Sequence, residues 1–307
     1  MNVFSRGFYL GRRGVKVKPL SFGKQFFRLI IFALILALIA IIAGHALANR
    51  LLFYPVKGLE ATFKNTGWPY EELWLTRPKG QKVFAWYLPG PPGAYVTLLL
   101  HGNGGNLDDM VGRVLSYHHL NMGVLAIDYP GYGLSEGEPS LASAVESAVL
   151  AWDYLVNVCQ IEPQKIVVHG FSLGGGVAGQ LLARRPAPHP IIMDSTFTSL
   201  AEAAGEAMPL LKPLSNVILG DSYDTLAVLR DYKATKALFF HSPQDEVVPY
   251  KLGEALFNSY QNGPKSFTRL AGPHVNFISN QSAYEKAIIE SLGLVFPPYQ
   301  PPTPNPE

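Results

Sequence analysis

One long apolar run lies near the start of the chain, at residues 29–48. Its twenty positions carry no formal charge if His45 is neutral, and Arg28 and Arg50 bracket it. A helix of that length spans about 30 Å of hydrocarbon. The run therefore predicts a transmembrane anchor, with the apolar segment of a cleavable signal peptide as the alternative, because Ala46-Leu-Ala resembles a cleavage site.

After residue 50 the pattern changes to short apolar runs separated by polar turns. Residues 70–76 and 82–88 alternate in polarity and are joined through Pro78-Lys-Gly, which predicts an antiparallel hairpin. Runs of strand length then alternate with segments of helical spacing. The predicted strands lie at 95–100, 123–127, 165–169, 191–193, 237–240 and 266–270. The predicted helices lie at 107–119, 140–158, 173–184, 250–260 and 279–292.

This order predicts an α/β fold with a mostly parallel central sheet and helices on both faces. We expect one domain over residues 51–296. The alternation fails at 199–231, which we interpret as a short cap over the strand ends. Residues 1–28 are predicted to be a basic N-terminal arm, and residues 297–307 a Pro-rich extended tail.

The sharpest break in the pattern follows the predicted strand at 165–169. The β-branched run stops at Gly170, and helical spacing begins just beyond Ser172. A strand, a tight Gly-Phe-Ser-Leu-Gly turn and a helix are typical of a nucleophile elbow, with the serine at its apex. A second Gly-x-Ser-x-Gly sequence, at 133–137, is interpreted as a glycine-rich loop because Glu138-Pro follows it.

Charge and cysteine content narrow the function classes. Residues 1–28 hold seven Lys and Arg and no acidic residue, so the net charge of +2 combines a basic arm with a mildly acidic body. The arm predicts a single-pass protein with a cytoplasmic N-terminus and an extracytoplasmic domain, periplasmic if bacterial. The body shows no basic stripe interleaved with aromatics, so we expect no nucleic-acid partner. With one cysteine and no zinc-type spacing, no metal or other cofactor is expected, and the oligomeric state stays open.

A serine nucleophile needs a base and an orienting carboxylate. Asp245 follows the predicted strand at 237–240, and His274 follows the last one. Both would lie at the carboxyl edge of a parallel sheet, where Ser172 also lies. We therefore predict Ser172 as nucleophile, His274 as base and Asp245 as acid, with Asp194 as the reserve acid because it also ends a strand.

The oxyanion of acyl transfer needs backbone donors. The glycine-rich sequence His101-Gly-Asn-Gly-Gly-Asn follows a predicted strand, so the N–H groups of Asn103 and Leu173 are predicted to form the oxyanion hole. Four apolar side chains are candidates for an acyl pocket, although ordinary core packing explains each nearly as well: Phe171, Phe197, Met208 and Phe277.

Together these motifs resemble the α/β-hydrolase family, and more closely its Bem46-like, membrane-anchored branch. The matching segments are His101-Gly-Asn-Gly-Gly-Asn, Asp128-Tyr-Pro-Gly-Tyr-Gly-Leu-Ser-Glu-Gly, Gly170-Phe-Ser-Leu-Gly-Gly, Ser195-Thr-Phe-Thr-Ser, His241-Ser-Pro-Gln-Asp-Glu-Val-Val-Pro and Gly272-Pro-His. The resemblance extends over about 51–292 and implies the same triad. Pro273 and Asp194 depart from residues common in the family, which leaves the pocket chemistry open.

The resemblance implies a membrane-anchored serine hydrolase that forms an acyl-enzyme. The branch includes protein depalmitoylases, but the resemblance does not settle the substrate. The apolar pocket candidates favour an acylated or lipid-like ester or thioester, and the lipid bilayer is the expected partner of the N-terminal helix. Two alternatives stay open: a serine peptidase or amidase that uses the same triad, and a non-catalytic binding module with this fold.

Overall fold

The computed structural model describes residues 22–64, 66–186, 189–220 and 222–295. The chain divides into two compact units, Met1–Ala43 and Gly44–Glu307. Residues 1–21 and 296–307 hold most of the predicted basic arm and the predicted Pro-rich tail, and these two predictions lie outside the described residues.

Helix α1 (Phe22–Leu52) contains the whole apolar run at 29–48. The run is therefore helical, as predicted. Within the described part of the chain, however, no helix has both the length and the apolar character that crossing a bilayer requires. The structure thus does not support the predicted transmembrane anchor or the single-pass topology that depends on it.

A sheet of eight strands forms the centre of the second unit, and two short strands pair apart from it. The strands are β1 (Tyr54–Pro55), β2 (Glu71–Thr76), β3 (Lys82–Leu88), β4 (Val96–Leu100), β5 (Gly104–Gly105), β6 (Gly123–Ile127), β7 (Ile166–Phe171), β8 (Ile191–Asp194), β9 (Ala237–His241) and β10 (Lys265–Arg269). The order in the large sheet is β10-β9-β8-β7-β4-β6-β3-β2. Strands β2 and β3 form the predicted antiparallel hairpin, β3 is antiparallel to β6, and the remaining neighbours are parallel. The two-residue strands β1 and β5 pair with each other.

The central strands β4, β6, β7, β8 and β9 are buried at every position. Burial on both faces of a sheet explains why these strands are continuous apolar runs rather than alternating ones. Their parallel register brings the carboxyl ends to one edge, since Phe171 pairs with Asp194 and Asp194 with Phe240.

Helices cover both faces of this sheet. They are α2 (Val111–His119), α3 (Leu141–Asn157), α4 (Leu173–Arg184), α5 (Leu200–Ala207), α6 (Lys212–Leu219), α7 (Thr225–Asp231), α8 (Tyr250–Ser259) and α9 (Phe277–Leu292), with 3-10 turns at Leu107–Met110, Pro163–Lys165 and Pro209–Leu211. Helices α2 and α9 pack on one apolar layer, and α3, α4, α7 and α8 pack on the other. The predicted α/β architecture, mostly parallel with helices on both faces, is confirmed.

The segment predicted as a cap, residues 199–231, is helical and divides into two parts. Helices α5 and α6 pack against each other. Helix α7 instead packs on α4 and α8 and buries Thr225 and Leu229 in the main core. Because α7 packs on two helices of the sheet layer, it belongs to that layer. Helices α5 and α6 pack mainly on each other and reach the same core through Leu200, Ala201 and Leu219.

Candidate active site

Ser172 stands at the turn between β7 and α4, with φ 54° and ψ −120°. A side chain rarely adopts this backbone conformation, so the packing around it must hold it there. A Cβ atom at Gly174 would overlap the carbonyl oxygen of Leu100, and one at Gly170 would overlap the backbone of Gly174. Only glycine at these two positions lets the strand and the helix approach closely enough to form the elbow.

The structure brings Ser172, His274 and Asp245 together. The Ser172 Oγ lies 3.0 Å from His274 Nε2, and His274 Nδ1 lies 2.7 Å from Asp245 Oδ2. Because an ionised carboxylate can only accept hydrogen bonds, the proton of the neutral ring is on Nδ1. The unprotonated Nε2 is therefore free to accept the Ser172 proton, as nucleophilic catalysis requires.

The Asp245 carboxylate is buried and hydrogen-bonded at both oxygens. Oδ1 accepts from the backbone N–H groups of Val247 (2.9 Å) and Val248 (2.7 Å). Oδ2 faces the rings of His274 and His241. Burial raises the pKa of Asp245, but the hydrogen bonds from the two imidazoles and from Val248 outweigh burial and hold this pKa well below its usual range. The carboxylate is thus ionised at neutral pH and can stabilise a protonated His274.

The loop that carries His274 is fixed on two sides. The backbone N–H of His274 donates to Glu246 Oε2 at 3.0 Å. The imidazole ring stacks on Phe171, with ring centroids 5.1 Å apart and planes inclined by 29°. Since Phe171 directly precedes Ser172, this stacking sets the base relative to the nucleophile.

The glycine-rich loop after β4 lies against the nucleophile. A Cβ atom at Gly102 would stand 3.4 Å from the Ser172 Cβ. The next carbonyl, that of Asn103, accepts from the Tyr54 N–H (2.8 Å) and the Tyr132 hydroxyl (2.5 Å), which fixes the loop. Leu173 is the first residue of α4, so its N–H is among those that a helix start leaves unpaired. The role of Asn103 and Leu173 as oxyanion donors stays a prediction.

A buried histidine–carboxyl pair lies beside this loop. His101 Nε2 is 3.5 Å from Asp128 Oδ1, and the same oxygen accepts from the Leu107 N–H at 3.0 Å. Burial lowers the pKa of His101 to about 4 and raises that of Asp128 well above its usual range. His101 Nδ1 also lies 2.8 Å from the Gly102 carbonyl oxygen, so the ring contacts the loop directly. No group of three or more potential metal ligands occurs in the described part of the chain.

The reserve acid, Asp194, does not contact His274. Its Oδ2 lies 2.9 Å from Arg113 Nη2 and 3.3 Å from His169 Nε2, and its Oδ1 accepts from the Tyr284 hydroxyl at 2.6 Å. Burial raises the pKa of Asp194, but the positive charge of Arg113 and the hydrogen bonds outweigh burial and keep this pKa well below its usual range. The Asp194 backbone oxygen accepts from the Ser172 N–H at 2.8 Å. Asp194 therefore stabilises the turn at Ser172 through this backbone hydrogen bond.

The four predicted pocket residues are not brought together. Phe171 and Phe277 flank the guanidinium of Arg113, 4.2 and 4.8 Å from their ring centroids, on the face covered by α2 and α9. Phe197 is buried in the apolar layer of the opposite face. Met208 follows α5 and is 52% exposed. Phe171 and Phe277 thus belong to one apolar layer and Phe197 to the other, and a pocket lined by these residues stays a prediction.

A family model described as the alpha/beta hydrolase family matches residues 97–284. The alpha/beta hydrolase domain-containing protein WAV2 of Arabidopsis thaliana is 28% identical over 282 residues, which cover 80% of this chain and 91% of that protein. Protein bem46 of Schizosaccharomyces pombe is 31% identical over 180 residues, covering 58% of this chain and 60% of that protein.

Among solved structures, the Pyrococcus furiosus esterase Pf2001 superposes with a TM-score of 0.64 at 18% identity. The superposition covers 79% of this chain and 97% of the esterase. At that identity the likeness supports the fold, and the family match supports the predicted resemblance.

Proposed function

Because this chain belongs to the alpha/beta hydrolase family, we propose that it is a serine hydrolase that cleaves carboxylic esters or thioesters through an acyl-enzyme. One observation carries the proposal: the unbroken hydrogen-bond series from Ser172 Oγ through the His274 ring to Asp245 Oδ2. A structural serine on a strained turn would not need a buried imidazole and a carboxylate aligned behind it.

The proposed reaction has two halves. In the first, His274 Nε2 takes the proton of Ser172 Oγ as this oxygen bonds to the carbonyl carbon, and the tetrahedral oxyanion is stabilised by the N–H groups of Asn103 and Leu173. The carbon–oxygen or carbon–sulfur bond then breaks, and His274 returns the proton to the leaving alcohol or thiol. In the second half, water gives a proton to His274 as its oxygen bonds to the acyl carbon. The bond from this carbon to Ser172 Oγ then breaks, His274 returns the proton to Oγ, and the acid is released. Asp245 stabilises the imidazolium in both halves.

We propose an acylated or lipid-like substrate. Two apolar side chains close to the triad in the sequence are open to solvent: Val275 follows His274 and is 72% exposed, and Val247 lies two residues after Asp245 and is 53% exposed. Apolar side chains at these positions favour an acyl chain over a charged peptide. Turnover of aryl esters is expected to rise with acyl length, whereas preference for aminoacyl amides would indicate a peptidase.

The nucleophile is tested with Ser172→Ala. Turnover of a p-nitrophenyl ester is expected to fall at least about a thousandfold, because the remaining groups cannot form the acyl-enzyme. Fluorophosphonate labelling, read by mass spectrometry, should place the adduct on Ser172. The matched control is Ser135→Ala, which changes the other Gly-x-Ser-x-Gly sequence and is expected to keep full labelling per folded molecule. Absence of an adduct in the wild type would favour a non-catalytic binding module.

We also propose that helix α1 associates with a lipid bilayer. Its described apolar side chains are more than half exposed at Phe26, Leu34 and Leu38, among others. Full-length protein is expected to sediment with liposomes, and Leu34→Lys with Leu38→Lys is expected to abolish sedimentation, because each charge is costly to bury in hydrocarbon. Glu290→Lys on α9 is the control for added charge. Sedimentation unchanged by the two lysines would contradict this proposal.

A further inference from the structure

Asp245 faces a second imidazole, that of His241, which the reaction above does not use. His241 is the last residue of β9, and its side chain is fully buried. Its Nε2 lies 2.8 Å from the carbonyl oxygen of Val248 and 3.2 Å from Asp245 Oδ2. Since a carbonyl and an ionised carboxylate only accept, the His241 Nε2 carries a proton and donates to both.

The other nitrogen of this ring, Nδ1, is buried and has no hydrogen-bond partner within the described residues. It faces Gly253, where a Cβ atom would overlap it. A second proton on the ring would therefore be buried without an acceptor, which is costly. The surroundings fix a single tautomer of His241, with Nε2 as an N–H donor toward Asp245.

We propose that His241 is a positioning residue for the catalytic triad, which fixes Asp245 Oδ2 and withdraws part of its negative charge. This inference rests on the hydrolase function proposed above. Oδ2 is shared between His274 Nδ1 at 2.7 Å and His241 Nε2 at 3.2 Å, so charge drawn toward His241 is not available to His274. The donor thus limits how strongly the carboxylate holds a proton on the catalytic imidazole.

The backbone of Val248 links Asp245 to His241. Its N–H donates to Asp245 Oδ1, and its carbonyl accepts from His241. The carboxylate, the peptide and the second imidazole form one ring of hydrogen bonds. Deleting the imidazole would leave the Val248 carbonyl without this donor and would leave His274 as the one ring that faces Asp245 Oδ2 among the described residues.

The other titratable and charged groups near His241 come from two elements and one loop. On α8, the ring of Tyr250 lies 5.7 Å from that of His241 between centroids. On β10, Arg269 pairs in register with His241, and its Nε lies 3.0 Å from the Tyr250 hydroxyl. In the loop, Glu246 contacts the backbone of His274 rather than His241.

His241→Leu removes the donor, and His241→Gln keeps an N–H near the position of Nε2. The readouts are hydrolysis of a p-nitrophenyl ester and the rate of fluorophosphonate labelling at Ser172, both from pH 5 to 9. In His241→Leu, we expect the midpoint of the acid limb of kcat/KM to move up by about 0.5–1 pH unit, because Asp245 holds a proton on His274 more strongly. We expect kcat to fall about tenfold, with KM within about twofold. His241→Gln should recover both values to within about threefold.

An acid limb at the wild-type pH in His241→Leu, or identical behaviour of the Leu and Gln variants, would overturn the inference. Should His241→Leu not fold, His241→Asn replaces it, because the shorter amide does not reach Oδ2 and the same contrast with Gln is expected. Wild-type protein that is not labelled at Ser172 would refute the hydrolase function and this inference together. Labelled wild type with an unmoved acid limb would refute only the inference.

Discussion

Two aspartates lie at the carboxyl ends of neighbouring strands of the sheet and contact imidazoles in different ways. Asp194 ends β8 and lies 3.3 Å from His169 Nε2, whereas Asp245 follows β9 and lies 2.7 Å from His274 Nδ1. Both carboxylate side chains are buried, and the pKa of each lies below its usual range because its partners outweigh the effect of burial. Proximity of a histidine and a strand-end carboxylate therefore does not distinguish a catalytic pair from a structural one.

The first difference between the two sites is the partner of the imidazole nitrogen that does not face the carboxylate. In His169, Nδ1 is 2.8 Å from the hydroxyl of Tyr117, which is itself buried, so the ring is hydrogen-bonded on both sides inside the core. In His274, Nε2 faces the hydroxyl of Ser172 on the strained turn. Only the second ring has a proton donor that can become a nucleophile.

Charge makes the second difference. Arg113 is buried against Asp194, so the structural site combines a carboxylate with a cation. In the described part of the chain, no lysine or arginine forms an ion pair with Asp245. The negative charge of Asp245 can thus stabilise an imidazolium that forms during the reaction, whereas that of Asp194 is already paired with Arg113. We therefore expect that neutralising Asp245 lowers turnover, whereas neutralising Asp194 lowers the free energy of unfolding.

The largest effect is expected for Asp245→Asn. The amide cannot hold the His274 ring in the tautomer that leaves Nε2 unprotonated, so kcat should fall about ten-thousandfold. The measurement is ester hydrolysis alongside urea unfolding, with Asp153→Asn as a control at the partly exposed ion pair with Arg185. Retention of more than a tenth of wild-type turnover would show that Asp245 is not the orienting acid.

Asp194→Asn is expected to act on stability instead. It leaves Arg113 as a buried cation without its partner, a change that typically costs about 3–5 kcal/mol. Urea unfolding monitored by tryptophan fluorescence gives the free energy of unfolding. Turnover per folded molecule should stay within about tenfold of wild type, because the Asp194 backbone oxygen still accepts from Ser172. A variant as stable as wild type but inactive would reverse the roles we assign to the two sites.

These two sites also show what the sequence alone can and cannot predict. The strands were predictable because burial on both faces demands continuous apolar runs, and the position of His274 after the last strand indicated its place at the sheet edge. The partner of Asp194 was not predictable. Arg113 lies 81 positions away, on a helix where an arginine usually faces solvent, and only the tertiary fold turns it inward.

The layer in which each pocket candidate packs was not predictable for a related reason. Phe171 and Phe197 both lie near strand ends, but the face of the sheet on which a side chain packs depends on strand register, which an irregular turn can change. Helices α5 and α6 were missed because they are short and the prolines at 209 and 213 obscure their periodicity. The second imidazole at Asp245 was missed because spacing does not show where a ring points.

A smaller effect is expected for Tyr284→Phe, which measures the contribution of one hydrogen bond to the Asp194 site. Phenylalanine keeps the ring that stacks on Phe240, 4.4 Å between centroids, and removes only the hydroxyl 2.6 Å from Asp194 Oδ1. A hydrogen bond to a charged group contributes about 1.5–3 kcal/mol, so the free energy of unfolding should fall by that amount with turnover unchanged. Tyr70→Phe, which removes an exposed hydroxyl–carboxylate contact, is the matched control and should be near neutral. Equal effects of the two substitutions would show that the buried hydroxyl adds nothing to the Asp194 site.

The smallest effect between pH 5 and 8 is expected for a difference of differences. This is the change with pH in the free energy of unfolding of wild type relative to that of Asp194→Asn. A carboxyl whose pKa is lowered by folding adds stability that is fully present above the pKa of the unfolded chain, about 4, and is lost as the pH falls through the folded value. The difference should therefore be constant from pH 5 to 8 and shrink below about pH 4, since the wild-type carboxylate becomes protonated and the variant has none to protonate. Taking the difference cancels the contribution of Asp128, whose raised pKa acts in the opposite direction in both proteins. Urea titrations at intervals of half a pH unit measure it. A difference that changes between pH 5 and 8 would mean that Asp194 is not held ionised by Arg113, and the contrast between the two carboxylates would no longer stand.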